Sequence, residues 1–315
     1  MKKPTYKIYR TTNWPAYNRA LMSRRNIAIW FDSATQWYAP SKGKQGRNQT
    51  YSDAAIQCCL MIKSLFRLSL RMVTGFVQSL IKLCGLNWIA PDYTTLCRRQ
   101  KHIDIVISYQ KSSDGLHLLI DSTGMKFLGE GEWKRKKHGP EYRRQWRKLH
   151  IGIDAETLQI RAIQLTTNNV SDSQVLGDLI SQIHLDERID SVYTDGAYDT
   201  KKCRQVIADR QAHAVIPPRK NAKPWKDTKI SSLARNELLR TVNLAKQCFS
   251  GRTLWKKWSG YHRRSLVETK MHCIKLLGDK LSARKFDSQV NEIHARVAVL
   301  NRFTELGRPL TQVTP

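Results

Sequence analysis

The sequence has few acidic residues and no long hydrophobic run. It contains 26 Asp and Glu against 54 Lys and Arg in 315 residues, which gives a formal net charge of +28. Such an excess favours a polyanionic partner, most simply a nucleic acid, with a membrane surface as the alternative. The longest apolar candidate, residues 54–62, is interrupted by Gln57 and is too short to span a bilayer.

Paired cysteines, repeats and targeting signals are also missing. The seven cysteines are an odd number and contain no C-x2-C pair. We therefore expect reduced, structural thiols rather than a zinc site or disulfides. The first residues are basic and polar and lack the apolar core of a signal peptide, which predicts that the protein stays inside the cell.

One stretch, residues 261–275, combines polar groups on one face of a predicted helix. At about 100° per residue, Arg264, Glu268 and Lys275 all fall within about 60° of Tyr261 on the helical wheel. A plain surface helix with an Arg264–Glu268 charge pair is the simpler interpretation. Two further carboxylates upstream favour a functional role for this helix.

These carboxylates are expected where two strands end. Asp121 closes the apolar run of HLLIDSTG, and Asp195 follows the strand-like segment of IDSVYTDG. Strand ends meet at one edge of a buried sheet, where binding sites form. Two such aspartates and Glu268 can hold two divalent cations for phosphodiester displacement, and oxygen ligands suit a hard cation such as Mg²⁺.

The three carboxylates and their neighbours resemble the DDE transposases of bacterial insertion sequences. The closest similarity is to the insertion sequence five family, whose third motif reads Y-x2-R-x3-E-x6-K and is matched here by Tyr261, Arg264, Glu268 and Lys275. The second motif is matched by residues 195–199. The resemblance extends from the segment 14–30 to the Pro-Pro-Arg-Lys run at 217–220.

The resemblance implies a metal-dependent reaction on DNA. Asp121, Asp195 and Glu268 would be both the catalytic residues and the ligands of two Mg²⁺ or Mn²⁺ ions. Water would hydrolyse the element ends, and the freed 3′-OH groups would then be joined to target DNA. Tyr261, Arg264 and Lys275 would position phosphates and offset developing negative charge.

The resemblance also implies the partners. These are double-stranded DNA, both the terminal inverted repeats of the element and the target, and further copies of the chain in a homo-oligomer on DNA. The expected location is the bacterial cytoplasm, in association with the nucleoid, and no membrane is involved.

Residues 51–100 predict three short helices, roughly 54–65, 68–83 and a last one in the segment YTTLCRRQK. Ser52 or Asp53 would cap the first, and Asp92 the third. Such a unit is typical of a helix-turn-helix-like DNA-binding region, in which Arg98 and Arg99 would face DNA. A plain helical packing domain with a charged last helix is the alternative.

A basic segment follows the first catalytic strand. Residues 131–150 interleave Lys and Arg with Trp133, Tyr142 and Trp146, a pattern that suits a groove along a nucleic-acid backbone. A solvated charged loop is the alternative. The residues predicted to bind phosphate in this segment are Lys134, Arg135, Lys136, Lys137, Arg143, Arg144 and Arg147.

The order of predicted elements after residue 115 is three strands, a helix, a strand, a helix and a strand, followed by the helix that carries Glu268. This order predicts an α/β, ribonuclease-H-like catalytic core behind the helical region. We expect a helical DNA-binding region over residues 1–110 and a catalytic domain over 111–315, with basic insertions at about 124–147 and 217–258. A closing helix at about 289–303 is expected to pack on the catalytic core.

Two other functions fit the same residues. One is a metal-dependent ribonuclease-H-like nuclease that cuts but does not join. The other is a DNA-binding regulator that keeps an inactive catalytic domain. Strand transfer separates the first from a transposase, and metal-dependent cleavage separates the second.

Overall fold

The computed structural model describes residues 9–41, 43, 48–112, 114–129, 131–139, 145–219, 221–244 and 251–313. The chain divides into two compact units, one of Met1–Ser108 with Ala295–Pro315 and the other of Tyr109–His294. The residues from Ala295 onward, which the sequence assigned to the catalytic domain, thus group with the first unit. The reason is packing, because Ala295 and Ala298 belong to the apolar core of that unit.

The first unit is mainly helical. Its elements in chain order are β1 (Tyr9–Thr11), α1 (Trp14–Ser23), α2 (Asp53–Phe66), α3 (Leu70–Leu83) and α4 (Tyr93–Arg99). The predicted caps of α2 and α4 are confirmed, since Ser52 accepts a hydrogen bond from the Ala55 amide and Asp92 from the Thr94 amide. The three predicted helices are therefore present, but their use as a helix-turn-helix-like DNA reader stays a prediction.

Apolar side chains of these three helices form the core of the first unit. Ile56 of α2, Val77 of α3 and Leu96 of α4 are fully buried together. Trp37 stacks on Trp88 with ring centroids 4.8 Å apart. Trp37, which precedes α2, thus contributes to the packing of this unit.

The second unit contains most of the strands. Its elements are β2 (Leu116–Phe127), α5 (Glu132–His138), β3 (Arg147–Asp154), β4 (Ile160–Thr167), α6 (Asp172–Ser181), β5 (Ile189–Tyr193), α7 (Lys201–Asp209), β6 (His213–Val215), α8 (Ile230–Leu244), α9 (Gly251–Trp258), α10 (Ser265–Leu276) and β7 (Lys280–Leu281). Helix α11 (Phe286–Leu306) begins in this unit and ends in the first, and β8 (Thr311–Val313) follows it.

The sheet of the second unit is mixed and has the strand order β4-β3-β2-β5-β6, with β7 beside the end of β2. The pairs β2–β3 and β3–β4 are antiparallel, and the pairs β2–β5 and β5–β6 are parallel. This mixed α/β arrangement is consistent with a ribonuclease-H-like fold. Apolar residues of the sheet, among them Leu118, Ile120 and Val192, are buried in one cluster with Leu179 of α6 and Ile207 of α7.

Several elements differ from the sequence prediction. Asp121 lies inside the twelve-residue strand β2 and not at its end, because β2 continues its pairing with β3 as far as Met125. Residues 132–138 of the basic segment form a helix. The antiparallel pair of β1 and β8 was not predicted, since strands of three residues carry almost no periodicity.

Membrane-spanning helices are not found among the residues that the structure describes, because none of the helices there is both long and apolar enough.

Candidate active site

Strand register brings Asp121 and Asp195 to the same level of the sheet. The parallel pairing of β2 with β5 ends at Leu119 opposite Tyr193. Each aspartate lies two residues beyond this last pair, so the two carboxylates occupy equivalent positions on neighbouring chain segments. The two aspartates share this level because the parallel ladder between β2 and β5 ends just before them, and not because β2 itself ends at Asp121.

Asp121 is largely buried, with a side chain 16% exposed. One carboxylate oxygen, Oδ1, accepts a hydrogen bond from the Ser122 amide at 2.8 Å, and the other accepts one from the Arg264 guanidinium. Burial raises the pKa of Asp121, and the charge of Asp195 raises it further. The Ser122 amide and Arg264 oppose this rise only in part.

Asp195 occupies the capping position of a 3₁₀ turn, Gly196–Tyr198. Its Oδ1 accepts a hydrogen bond from the Ala197 amide at 2.9 Å. A Cβ at Gly196 would lie 3.4 Å from the Pro217 carbonyl oxygen, so the turn packs closely against the segment that follows β6. The Asp-Gly pair of the motif thus provides a cap and a close backbone contact.

The third motif is divided between two elements. The sequence predicted one helix from Tyr261 to Lys275, but Tyr261–Arg264 form a 3₁₀ turn and α10 begins at Ser265. Gly260 starts the turn with φ of 65°, a left-handed conformation that favours glycine. Despite this break, Arg264 and Glu268 lie on the same side of the chain, and their side chains form a hydrogen bond.

Arg264 joins two of the three carboxylates. Its guanidinium donates through Nη1 to Asp121 and through Nη2 to Glu268 Oε1, the latter at 2.5 Å. Burial lowers the pKa of Arg264, but its neighbours Asp121, Tyr261 and Glu268 together raise it above its ordinary value. Glu268 remains the more accessible partner, with its side chain 56% exposed.

The other two residues of the third motif also lie at the site. Lys275 donates from Nζ to Thr123 Oγ1 at 2.7 Å, on the same strand as Asp121. The ring of Tyr261 lies 5.8 Å from the Arg264 guanidinium carbon. Burial raises the pKa of Tyr261, Arg264 lowers it, and the charges of Asp195 and Asp121 raise it again.

The donor set suits a hard divalent cation, because all three expected ligands are carboxylates. Within the described ranges, no three or more His, Cys, Asp and Glu side chains are grouped so that they could hold a metal ion. In this structure the cation that Asp121 and Glu268 share is the Arg264 guanidinium.

A second polar layer lies behind Asp121 and was not predicted. Asp172, at the start of α6, lies 3.0 Å from Lys148 Nζ and 3.5 Å from the Nδ1 atom of buried His150. Burial raises the pKa of Asp172, but hydrogen bonds from Ser122 and Lys148 lower it overall. Asp172 was not predicted, because its hydrogen bond from Ser122 joins two segments that are far apart in the chain.

Asp199, the last residue of the second motif, anchors the Asp195 turn through buried ion pairs. Its Oδ1 accepts from Arg204 Nε at 2.9 Å and its Oδ2 from Arg235 Nη2 at 3.1 Å. The Arg219 amide also donates to Oδ2 at 3.3 Å. The sequence motif signalled this aspartate, but its arginine partners lie 5 and 36 residues away and could not be identified.

The predicted phosphate-binding residues of the basic segment differ in exposure and in the side chains that they contact. Lys136 and Lys137 are exposed on α5, and the Lys137 ammonium lies 4.7 Å from the Trp133 ring centroid. Arg147 instead lies against the rings of Phe127 and Phe286 and donates to Gln289 Oε1 at 2.8 Å. Arg143 and Arg144 lie outside the described residues, and the side chains of Lys134 and Arg135 lie outside the described side chains.

The two arginines of α4 also differ from each other. Arg98 is exposed, as a DNA contact would require. Arg99 donates to the Tyr51 carbonyl at 2.8 Å and forms an ion pair with Asp53. The side chain of Arg99 therefore ties α4 to the start of α2.

Comparison with known proteins gives two family matches. A family model described as a transposase DDE domain matches residues 112–302, and a second model of the same description matches residues 22–130. Among solved structures, the chain is similar to a chain of the cryo-EM structure of the simian T-cell lymphotropic virus intasome in complex with PP2A regulatory subunit B56 gamma, at 13% identity and a TM-score of 0.24. The match covers 57% of this chain and 62% of that chain.

Proposed function

Because the chain belongs to the family of proteins with a transposase DDE domain, we propose that it is the transposase of a bacterial insertion sequence, of the insertion sequence five group. It binds the terminal inverted repeats, cleaves the element ends and joins the 3′-OH ends to target DNA. The observation that carries this proposal is the shared level of Asp121 and Asp195 in the sheet, with Arg264 linking Asp121 to Glu268.

Asp121, Asp195 and Glu268 would hold two divalent cations, Mg²⁺ or Mn²⁺. Such ions, when bound, lower the pKa of a water and neutralise charge on the phosphodiester that reacts. The chain's own residues supply the positions: the Ser122 and Ala197 amides orient the two aspartates by hydrogen bonds.

The basic residues of the third motif would act on the DNA strand. Arg264 already contacts two carboxylates and can exchange them for phosphate oxygens, which its planar guanidinium matches in geometry. Lys275, held by Thr123, would place a second positive charge beside the reacting phosphate.

The joining of two element ends requires that two sites work together, so we propose a homo-oligomer assembled on DNA. Such an enzyme works on the chromosome, which places it with the bacterial nucleoid in the cytoplasm. The helical first unit, with Arg98 exposed on α4, is the proposed reader of the terminal repeats.

The test uses purified protein, Mg²⁺ and a labelled duplex that carries the element terminus found beside the coding sequence, called here the end duplex. Wild-type protein should cleave at the terminus and join the 3′-OH to a target plasmid, whereas Asp121→Asn should bind the duplex and do neither. Cleavage without joining would identify a nuclease. Binding without cleavage under Mg²⁺ and Mn²⁺ would identify a regulator and refute the proposal.

A further inference from the structure

A basic cavity opens directly beside Asp195. Its volume is about 450 Å³, and it is lined by Gly196, Ala197, Pro217, Pro218, Arg219, Arg252 and Lys256. Gly196 is the residue that follows Asp195 in the chain, so the cavity begins at the site.

The two arginines of the cavity are held in place by backbone carbonyl groups. Arg219 donates from Nε to Gly196 O at 3.1 Å and from Nη2 to Ala197 O at 2.8 Å. Arg252, on α9, donates from Nη2 to Pro218 O at 2.7 Å. A guanidinium has five N–H donors, so each arginine keeps further donors for a ligand.

The cavity also has an unbalanced positive charge. In the described part of the chain, no carboxylate oxygen lies within 4.0 Å of a cationic nitrogen of Arg219, Arg252 or Lys256, whereas nearby Arg204 and Arg235 both pair with Asp199. The Lys256 ammonium lies 5.4 Å from the ring of Tyr261 in the third motif. Lys256 therefore joins the lining of the cavity to the third motif.

We propose that this cavity binds phosphodiester groups of the DNA strand next to the bond that is cleaved. The proposal rests on the proposed function and adds Arg252 and Lys256 as strand-binding residues. Guanidinium groups recognise phosphate oxygens in pairs, and lysine adds a compact charge. None of the described side chains that line the cavity is aromatic, which favours the DNA backbone over a stacked base as the ligand.

The test measures binding of the fluorescent end duplex in EDTA by anisotropy across a KCl series. Arg219 is left unchanged because it holds the Asp195 turn. Arg252→Gln/Lys256→Gln should lower the magnitude of the slope of log K against log [KCl] by about 1.8, since each phosphate contact contributes about 0.9. The double variant Arg252→Lys/Lys256→Arg, which keeps both charges, should retain the wild-type slope.

The matched control is Lys111→Gln/Arg188→Gln, which removes the same charge. Lys111 precedes β2 and Arg188 precedes β5, at the opposite end of these strands from Asp195. Both residues are exposed. This control should keep the wild-type slope.

A second measurement locates the contact on the DNA. Neutral methylphosphonate groups replace single phosphates near the terminus of the end duplex. Replacements that weaken wild-type binding at the contacted phosphates should have no effect on Arg252→Gln/Lys256→Gln, but should still weaken binding to the control variant.

Equal slopes for the cavity variant and the control variant, with every methylphosphonate effect preserved, would overturn the proposal. If the double variant fails to fold by circular dichroism, Lys256→Gln alone should lower the slope by about 0.9, and an unchanged slope would be equally decisive. Because EDTA prevents metal-dependent cleavage, these outcomes are independent of catalysis. A protein that never cuts DNA but shows the slope change would refute the proposed function alone.

Discussion

Replacement of Asp199 by asparagine should destabilise the second unit strongly. The side chains of Asp199, Arg204 and Arg235 are only 1%, 4% and 3% exposed. The substitution keeps the shape but removes the charge that both guanidiniums share. Removal of one partner from a buried ion pair costs about 3–5 kcal/mol. We expect about 3 kcal/mol, the lower end, because the asparagine oxygen still accepts one hydrogen bond.

Urea unfolding followed by circular dichroism measures this loss, and the midpoint of thermal unfolding should fall by about 6–12 °C. Asp186→Asn is the matched control, since Asp186 is 83% exposed in its pair with His184. A loss for Asp199→Asn no larger than that of the control would refute the reasoning.

The same ion pairs make the stability of the second unit depend on pH. Burial alone would raise the pKa of Asp199, but Arg235 and Arg204 hold it below its ordinary value. This stabilisation is complete above the unfolded pKa of about 3.9 and is lost as pH falls through the lower folded pKa. Asp199→Asn should therefore be less sensitive to acid than wild type in this range.

Three further predictions concern the site. Arg264→Gln should tighten Mn²⁺ binding in calorimetry without DNA, because the guanidinium no longer competes with the ion for Glu268 and for Asp121. The same variant should slow cleavage by about 10²-fold. Lys275→Gln should slow cleavage about tenfold or more, whereas Thr123→Val, which only removes the lysine's hydrogen-bond partner, should change it less. Burial lowers the pKa of His150 to about 4, so stability should fall as pH drops from about 6.5 toward 4, and His150→Gln should lose that dependence in unfolding experiments.

Each of these predictions has a contrary result. Unchanged or weaker Mn²⁺ binding by Arg264→Gln would show that the arginine does not compete with metal. Equal rate losses for Lys275→Gln and Thr123→Val would assign the lysine a purely structural role. An acid dependence that survives His150→Gln would assign the loss to carboxylates elsewhere.

Apart from α5, the sequence predicted the order of the strands and helices from β2 to β6, because apolar residues that recur with strand or helix periodicity are also the residues that pack. Val192 of β5 and Ile207 of α7 are two such residues, and both are buried. It also predicted that Asp121 and Asp195 lie side by side, but for an incomplete reason, since the level of Asp121 relative to Asp195 depends on where the parallel ladder with β5 stops. That register is a property of two strands about 70 residues apart in the chain, and no local pattern contains it.

Residues that act through distant partners could not be predicted. Arg252 and Lys256 lie in a segment that the sequence showed only as a basic insertion, and their position beside Asp195 follows from tertiary packing. Arg147 shows the converse, because its charge suggested a phosphate contact while the structure gives it two aromatic neighbours. The number of charges in a segment therefore predicts that the segment is basic, but it does not show which of its side chains are free to contact phosphate.

Strand β2 has a consequence for how the site can adjust. It is hydrogen-bonded to β3 over Leu118–Met125, to β5 over Leu116–Leu119 and to β7 at Lys126–Phe127. Amide hydrogens of such a central strand should be among the last to exchange with deuterium. Asp121 is therefore fixed to the most persistent part of the sheet, and any change in spacing between the carboxylates must come from the Asp195 turn or from the helix of Glu268.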